Sequence, residues 1–287
     1  MLKRIGKSIL VKIILLSGIV KFRRFFLQRK KVTILILHDP KSEDFLALIK
    51  ALSKRYNFIS MEDFMEAKGK NDLSLLPPYS AILTFDDGHK NNFLLLDTIK
   101  NYAIPTTIFL CSDIINTNRH FWSNYPIEKA KLEHLKKLPN SNMLSELSNY
   151  GYEKKKEYEE RQALTLKEIK EMEASGYVTF ESHTCYHPIL TNLSDSESKF
   201  EIEASKKGLE KTIEKKIKGF AYPNGDYGER EVEFVKESRY GYAVTVETGF
   251  NTSTTHNFTL NRICLDDYGS VEENIIKASG LWKYLKL

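Results

Sequence analysis

Cysteine is scarce in this chain and shows no sign of pairing. Among 287 residues there are three, Cys111, Cys185 and Cys264, odd in number and far apart. That spacing excludes a disulfide framework and fits a reducing compartment. Cys111 and Cys264 lie in apolar, strand-like runs and are expected to be small buried hydrophobes. Long hydrophobic runs are also missing: Ser8 to Val20 is apolar but short and interrupted by Lys12. A membrane-spanning helix needs about 20 apolar residues. A basic start followed by an apolar centre suits a secretory signal, yet no small-residue cleavage site precedes Phe22. Zinc-finger spacings, stacking-aromatic motifs, repeats and low-complexity tracts are absent. The net charge of +5 therefore gives no reason to expect nucleic acid.

Acidic residues are missing from the front of the chain. Lys3, Arg4, Lys7, Lys12, Lys21, Arg23, Arg24, Arg29, Lys30 and Lys31 meet no acid before Asp39. Residues 1–30 read as a basic amphipathic segment that could lie on the cytoplasmic face of a membrane, with Lys and Arg at the headgroups. A helix packed on the protein's own core, or on a second subunit, fits the same pattern. The chain is thus expected in the cytoplasm or at the periphery of the inner membrane face.

From residue 31 onward, short apolar runs alternate with amphipathic helices. Val32–Leu37, Ser80–Phe85, Thr106–Cys111, Tyr177–Ser182, Lys218–Tyr222, Tyr242–Val246 and Leu260–Cys264 read as strands. Phe45–Arg55, Asn92–Tyr102, Leu166–Ser175, Ser194–Ile213 and Ser270–Leu287 read as helices. Strand-then-helix alternation predicts an α/β fold with a largely parallel sheet or barrel. Residues 117–165, polar and without buried strands, break the rhythm and read as a helical insertion over one end.

Three motifs follow predicted strands. Thr84-Phe85-Asp86-Asp87-Gly88 places two adjacent carboxylates on extended backbone, where they point different ways and can take different roles. His183-Thr184-Cys185-Tyr186-His187-Pro188 offers two histidines four apart, a spacing that grips divalent metals. Phe220-Ala221-Tyr222-Pro223-Asn224-Gly225-Asp226 is a strand running into a sharp turn that can aim a backbone N–H. Each alone has a bland reading as a turn or a core histidine pair. Together they put two histidines, two carboxylates and a donor at strand ends, where α/β barrels carry their functional groups.

In this order the motifs resemble the polysaccharide deacetylases of carbohydrate esterase family 4, from about Val32 to the C-terminal region. The resemblance implies a distorted (β/α) barrel of about seven parallel strands, with residues 31–287 as the catalytic domain. It implies a divalent metal, commonly zinc, on Asp87, His183 and His187, with Asp86 as catalytic base. It also implies an oxyanion donor at Asn224, a substrate-binding turn of Tyr222, Pro223 and Gly225, and an acetylated glycan as substrate. The sequence departs from the family pattern twice. The usual arginine of the third motif is Ala221, and the late Leu-x-His appears as Leu260-Asn261-Arg262. Arg262 is expected to replace the missing charge, while His256 or Asp266 are candidates for the proton donor. N-deacetylation is the leading reading. O-deacetylation, a non-catalytic sugar-binding relative and a two-histidine-one-carboxylate iron oxygenase are the alternatives.

Overall fold

A computed structural model of the chain describes residues 2–285. Met1 and the last two residues of the expected closing helix, 286 and 287, lie outside the described residues. Eight strands form one sheet: β1 (Thr33–Leu37), β2 (Asn57–Phe58), β3 (Ser80–Phe85), β4 (Thr106–Leu110), β5 (Val178–Ser182), β6 (Gly219–Ala221), β7 (Tyr242–Val244) and β8 (Ile263–Cys264). Seven follow one another in the order β7-β6-β5-β4-β3-β1-β8, with β2 paired to β3, and every pairing is parallel. The sheet curls until its two ends meet. Leu260, just ahead of β8, bridges Val244 of β7, donating to the Ala243 carbonyl and accepting from the Thr245 amide. The expected barrel of about seven parallel strands is the fold observed.

Strand parity sorts the core into two layers. Leu35, Leu37, Leu83, Phe85, Ile108 and Leu110 point outward and pack under the surrounding helices. Ile34, Ile82 and Phe109 point inward, joined by Val244, Leu260 and the side chains of Met61 and Phe64. β1, β3 and β4 are buried along their whole length, so they read in the sequence as apolar runs rather than alternations. The same parity turns Thr84 and Asp86 inward with Ile82, which begins to place the site.

Helix ends follow local chemistry. Ser194 accepts from the Glu197 amide while Glu197 accepts from the Ser194 amide, and this capping box opens the helix Asp195–Ile213 at the expected residue. The helix Met61–Gly69 was not anticipated, although Ser60 and Asp63 form the same device; it seals the inner layer. The helix expected at Asn92–Tyr102 begins as a 3-10 segment, Lys90–Leu95, before the α-helix Leu96–Asn101. There the Asn92 side-chain Nδ2 donates to the His38 carbonyl, 2.8 Å away, tying the segment to the loop after β1. The closing helix stops at Ala278, two residues before Gly280 at φ 68°.

The N-terminal segment forms two helices, Leu2–Leu16 and Ile19–Leu27, separated at Gly18 with φ 79°. One face packs on the protein: Val11, Ile14 and Val20 meet Ile275, Ile276 and Leu281. The insertion carries the short helices Lys129–Leu135 and Asn140–Ser148 around Trp122, Met143 and Tyr152.

One buried acid stitches the sheet where its ladder is thinnest. β5 and β6 share a single register pair, and beside it the Glu181 carboxylate accepts from the amides of Lys218 and Gly219 at 2.7 and 2.6 Å. Burial pushes this carboxyl up to about 7, against the pull of those donors. A carboxyl raised in the folded state gives stability that is full below its unfolded pKa of 4.5 and lost as pH rises through 7. Glu181→Gln keeps an acceptor for both amides and removes the titration. Chemical denaturation should show this variant gaining on the wild type by about 1–3 kcal/mol between acid and pH ~8.

Candidate active site

The first motif ends β3 in a tight reversal. Asp87 has φ 71° and Gly88 φ 75°. A methyl group on Gly88 would collide with the Leu110 side chain, so glycine is required there for space as well as for conformation. Asp86, inward by parity, is met from below by Arg262, which is fully buried inside the barrel. The two Nη atoms donate to the two Asp86 oxygens, each at 2.7 Å, and Nε donates to the Thr245 carbonyl at 2.7 Å. The guanidinium also lies over the Phe109 ring, 5.6 Å from its centroid. Burial alone would raise the Asp86 pKa; Arg262, with help from His183, outweighs it and holds the group below the usual carboxylate range.

Asp87 faces the histidines. Its Oδ1 lies 3.6 Å from His183 Nε2 and 3.3 Å from His187 Nε2, while Oδ2 pairs with His89 Nε2 at 3.0 Å. Here too burial pushes the acid up and the surrounding histidines, His187 first, bring it well down. The second motif is a knot of side chain to backbone bonds. Thr184, at φ 68°, donates to the His183 carbonyl and accepts from the His187 amide. Buried Glu201, from the helix Asp195–Ile213, accepts from the amides of Cys185 and Tyr186. Sequence reading missed Glu201, whose signal was only an acid at a core position of a helix.

One donor atom from each of Asp87, His183 and His187 forms a group within 4.8 Å of one another. The protonation pattern suits a cation. His183 Nδ1 donates to the Ala221 carbonyl at 2.8 Å, which leaves its Nε2 as a lone pair facing the aspartates. Burial pulls His187 down to about 4, keeping it neutral. Asp87 Oδ1 is buried without a hydrogen-bond partner, a costly arrangement that a divalent ion between these atoms would resolve. The donor set, two imidazoles and a carboxylate, is that of an open catalytic zinc site.

These groups line a cavity of about 670 Å³ together with His38, Trp122, Lys136, Asn224, Gly225 and Tyr268; Cys264, expected to be buried, is instead exposed on it because β8 ends there. The insertion supplies one wall: Trp122 donates its indole N–H to the His187 carbonyl at 2.7 Å. Asn224 stands in the left-handed region at φ 57°, its side-chain Nδ2 donating to the Asp226 carboxylate. A methyl group on Gly225 would strike Val246.

Four expected residues sit elsewhere. Tyr222 and Pro223 are buried behind the cavity wall, where the Tyr222 hydroxyl donates to the Phe258 carbonyl at 3.0 Å; they shape the turn and do not reach the cavity. His256 lines a separate cleft, and the Asp266 carboxylate accepts from the Tyr268 amide and pairs with Lys277. Besides His89, His183 and His187, the cavity wall carries His38. Its ring is half-exposed, with Nδ1 3.9 Å from Asp267 Oδ2, and Asp267 also accepts from the amides of His38 and Asp39.

A family model described as polysaccharide deacetylase matches residues 76–243. The curated Bacillus subtilis (strain 168) protein YxkH, named for polysaccharide deacetylases, is 23% identical over 184 residues, 64% of this chain and 50% of that one. The chain thus spans half the length of that relative. Solved structures of similar fold include the Streptococcus pyogenes deacetylase PplD in complex with acetate and IcaB from Ammonifex degensii. The first is 21% identical, covers 88% of this chain and 99% of that one, and has a TM-score of 0.63. For the second the values are 16%, 89%, 98% and 0.65.

Removing Arg262 should expose the strain it relieves. Asp86, depressed in the folded state, contributes stability present above the ordinary carboxylate range and lost as pH falls through its folded pKa. Arg262→Met should cost about 3–5 kcal/mol at neutral pH, and the deficit should narrow in acid, where the bare Asp86 takes up a proton. Adding Asp86→Asn should recover part of the loss, as read by urea denaturation.

Proposed function

The chain belongs to the polysaccharide deacetylase family, and from that premise we propose that it hydrolyses N-acetyl groups of a glycan with a divalent metal, most simply zinc. One observation carries the reading: a three-ligand group and a separate, arginine-pinned carboxylate open onto the same cavity. The residues divide the work. Asp87, His183 and His187 would hold the ion, which supplies an acidified water and polarises the acetyl carbonyl. Asp86, kept ionised by Arg262, accepts the proton of the attacking water. Arg262 is a positioning residue; buried and always charged, it gives up no proton itself. The backbone N–H of Asn224 is the donor proposed for the developing oxyanion, a contribution typically worth about 10²–10³ in rate.

An amine leaves poorly unless its nitrogen is protonated. His38 stands on the cavity wall with Asp267 behind it, and histidine is the side chain suited to deliver a proton near neutral pH. This favours the amide over the ester as substrate.

The test is acetate release from a panel of N-acetylated and O-acetylated sugars and oligosaccharides, with and without a chelator. Acetate from the N-acetylated members should disappear on chelation and return with zinc. Asp86→Asn and His38→Gln should each lower kcat by about 10²–10⁴, and His183→Ala should also lose the bound ion. Stoichiometric zinc with no acetate from any member would contradict a hydrolase and favour a sugar-binding role.

A further inference from the structure

Large exposed hydrophobic side chains are unevenly distributed. Among the described residues sixteen stand out, and nine of these fall between Ile9 and Leu27. On the first helix Ile9, Ile13 and Leu16 follow an i, i+4, i+7 spacing, so they share one face. The opposite face, with Val11 and Ile14, is buried against the helix Val271–Ala278. On the second helix Phe22, Phe25 and Phe26 are about half exposed or more, and Phe26 meets Phe22 in a tilted contact and Phe25 edge-on, with centroids 4.3 and 5.0 Å apart. Monomeric proteins rarely leave so contiguous an apolar surface bare.

The patch is rimmed with positive charge. Lys12, Lys21, Arg29 and Lys30 are exposed around it, and the sequence holds no acid before Asp39. Three other cations hold the helices to the body. Arg23 donates to the carbonyls of Ser279 and Gly280, Arg24 lies over the rings of Tyr56 and Tyr79, and Lys7 pairs with Glu273 at 2.9 Å. The patch is therefore fixed in orientation, not a loose arm. No helix among the described residues is long and apolar enough to cross a membrane, and the apolar run is broken at Gly18.

We propose that this two-helix face is a docking surface for an anionic lipid bilayer, lying in the plane of the membrane with its phenylalanines at the acyl boundary. The chemistry fits: apolar aromatic residues on the buried side, Lys and Arg at the level of acidic headgroups, and no charge of the sign those headgroups would repel. A second copy of the chain fits less well, because two such faces would bring like charges together. Docking also leaves the catalytic mouth free. Arg24 packs on Tyr79, immediately before β3, whereas Asp86 and the cavity lie at the other end of that strand, roughly 20 Å away at ordinary strand rise.

The test is co-sedimentation of the full chain with vesicles of phosphatidylcholine alone or mixed with phosphatidylglycerol, at physiological and high salt. Binding to the mixed vesicles should exceed binding to the neutral ones by about tenfold or more and weaken with salt. Phe22→Ser/Phe25→Ser/Phe26→Ser should weaken binding at least about tenfold, and Lys12→Glu/Lys21→Glu/Lys30→Glu should abolish the preference for anionic lipid. Both variants should keep the wild-type circular dichroism and Tm, since the changed side chains are exposed. Wild-type protein that stays in the supernatant with anionic vesicles would overturn the proposal, as would variants that pellet like wild type. A dimer in solution that the phenylalanine variant splits, without vesicle binding, would assign the patch to a second copy.

Discussion

Two neighbouring aspartates are buried at the end of one strand, and each has its own partner. Ionised carboxylates this close repel each other and lose hydration, so one of them would ordinarily take up a proton. Asp86 and Asp87 are instead each given their own cations or proton donors. Arg262 forks onto both oxygens of Asp86 from inside the barrel, and His89 pairs with Oδ2 of Asp87, whose Oδ1 faces the two other histidines. The turn at Asp87 and Gly88 makes this possible by sending the two side chains to different partners.

The separation has a chemical consequence. In the proposed reaction the base must stay free of the metal, and the ligand must stay free of the proton. The two oxygens of Asp86 are held in a fixed plane by a group that cannot titrate, whereas Asp87 keeps one buried oxygen without a partner, aimed at two imidazoles. The outer contacts serve the same division. Ala221 fixes the His183 tautomer, Glu201 and Thr184 hold the histidine turn, and the indole of Trp122 ties the insertion to His187. The insertion thus completes one wall of the cavity.

Much of this was legible in the sequence because it is written in local patterns. β3 begins and ends where its apolar run does, and the helix from Asp195 starts at the serine that caps it. The four residues of the first two motifs converge because strand ends converge in a curled parallel sheet. What escaped depends on contacts between distant segments. His38 is an ordinary histidine after a strand until Asp267, far along the chain, lies beside it. Glu201 becomes part of the histidine turn only once its helix packs there. Tyr222 and Pro223 belong to a motif, but the chain carries their side chains behind the wall. Arg262 was expected near the site as a replacement charge, and the structure adds the fork by which it grips Asp86. The helix at Met61 was missed although its capping box was readable, because no strong apolar periodicity drew attention to it.

The account stands on Asp87, His183 and His187 holding one ion while Asp86 stays outside the coordination sphere. Diffraction from zinc-soaked crystals, collected on both sides of the zinc absorption edge, addresses that directly. The account predicts a single anomalous peak at about 2.0–2.2 Å from Nε2 of both histidines and from an Asp87 oxygen, with Asp86 still paired to Arg262. A peak elsewhere, or one ligated by Asp86 with Arg262 displaced, would contradict it.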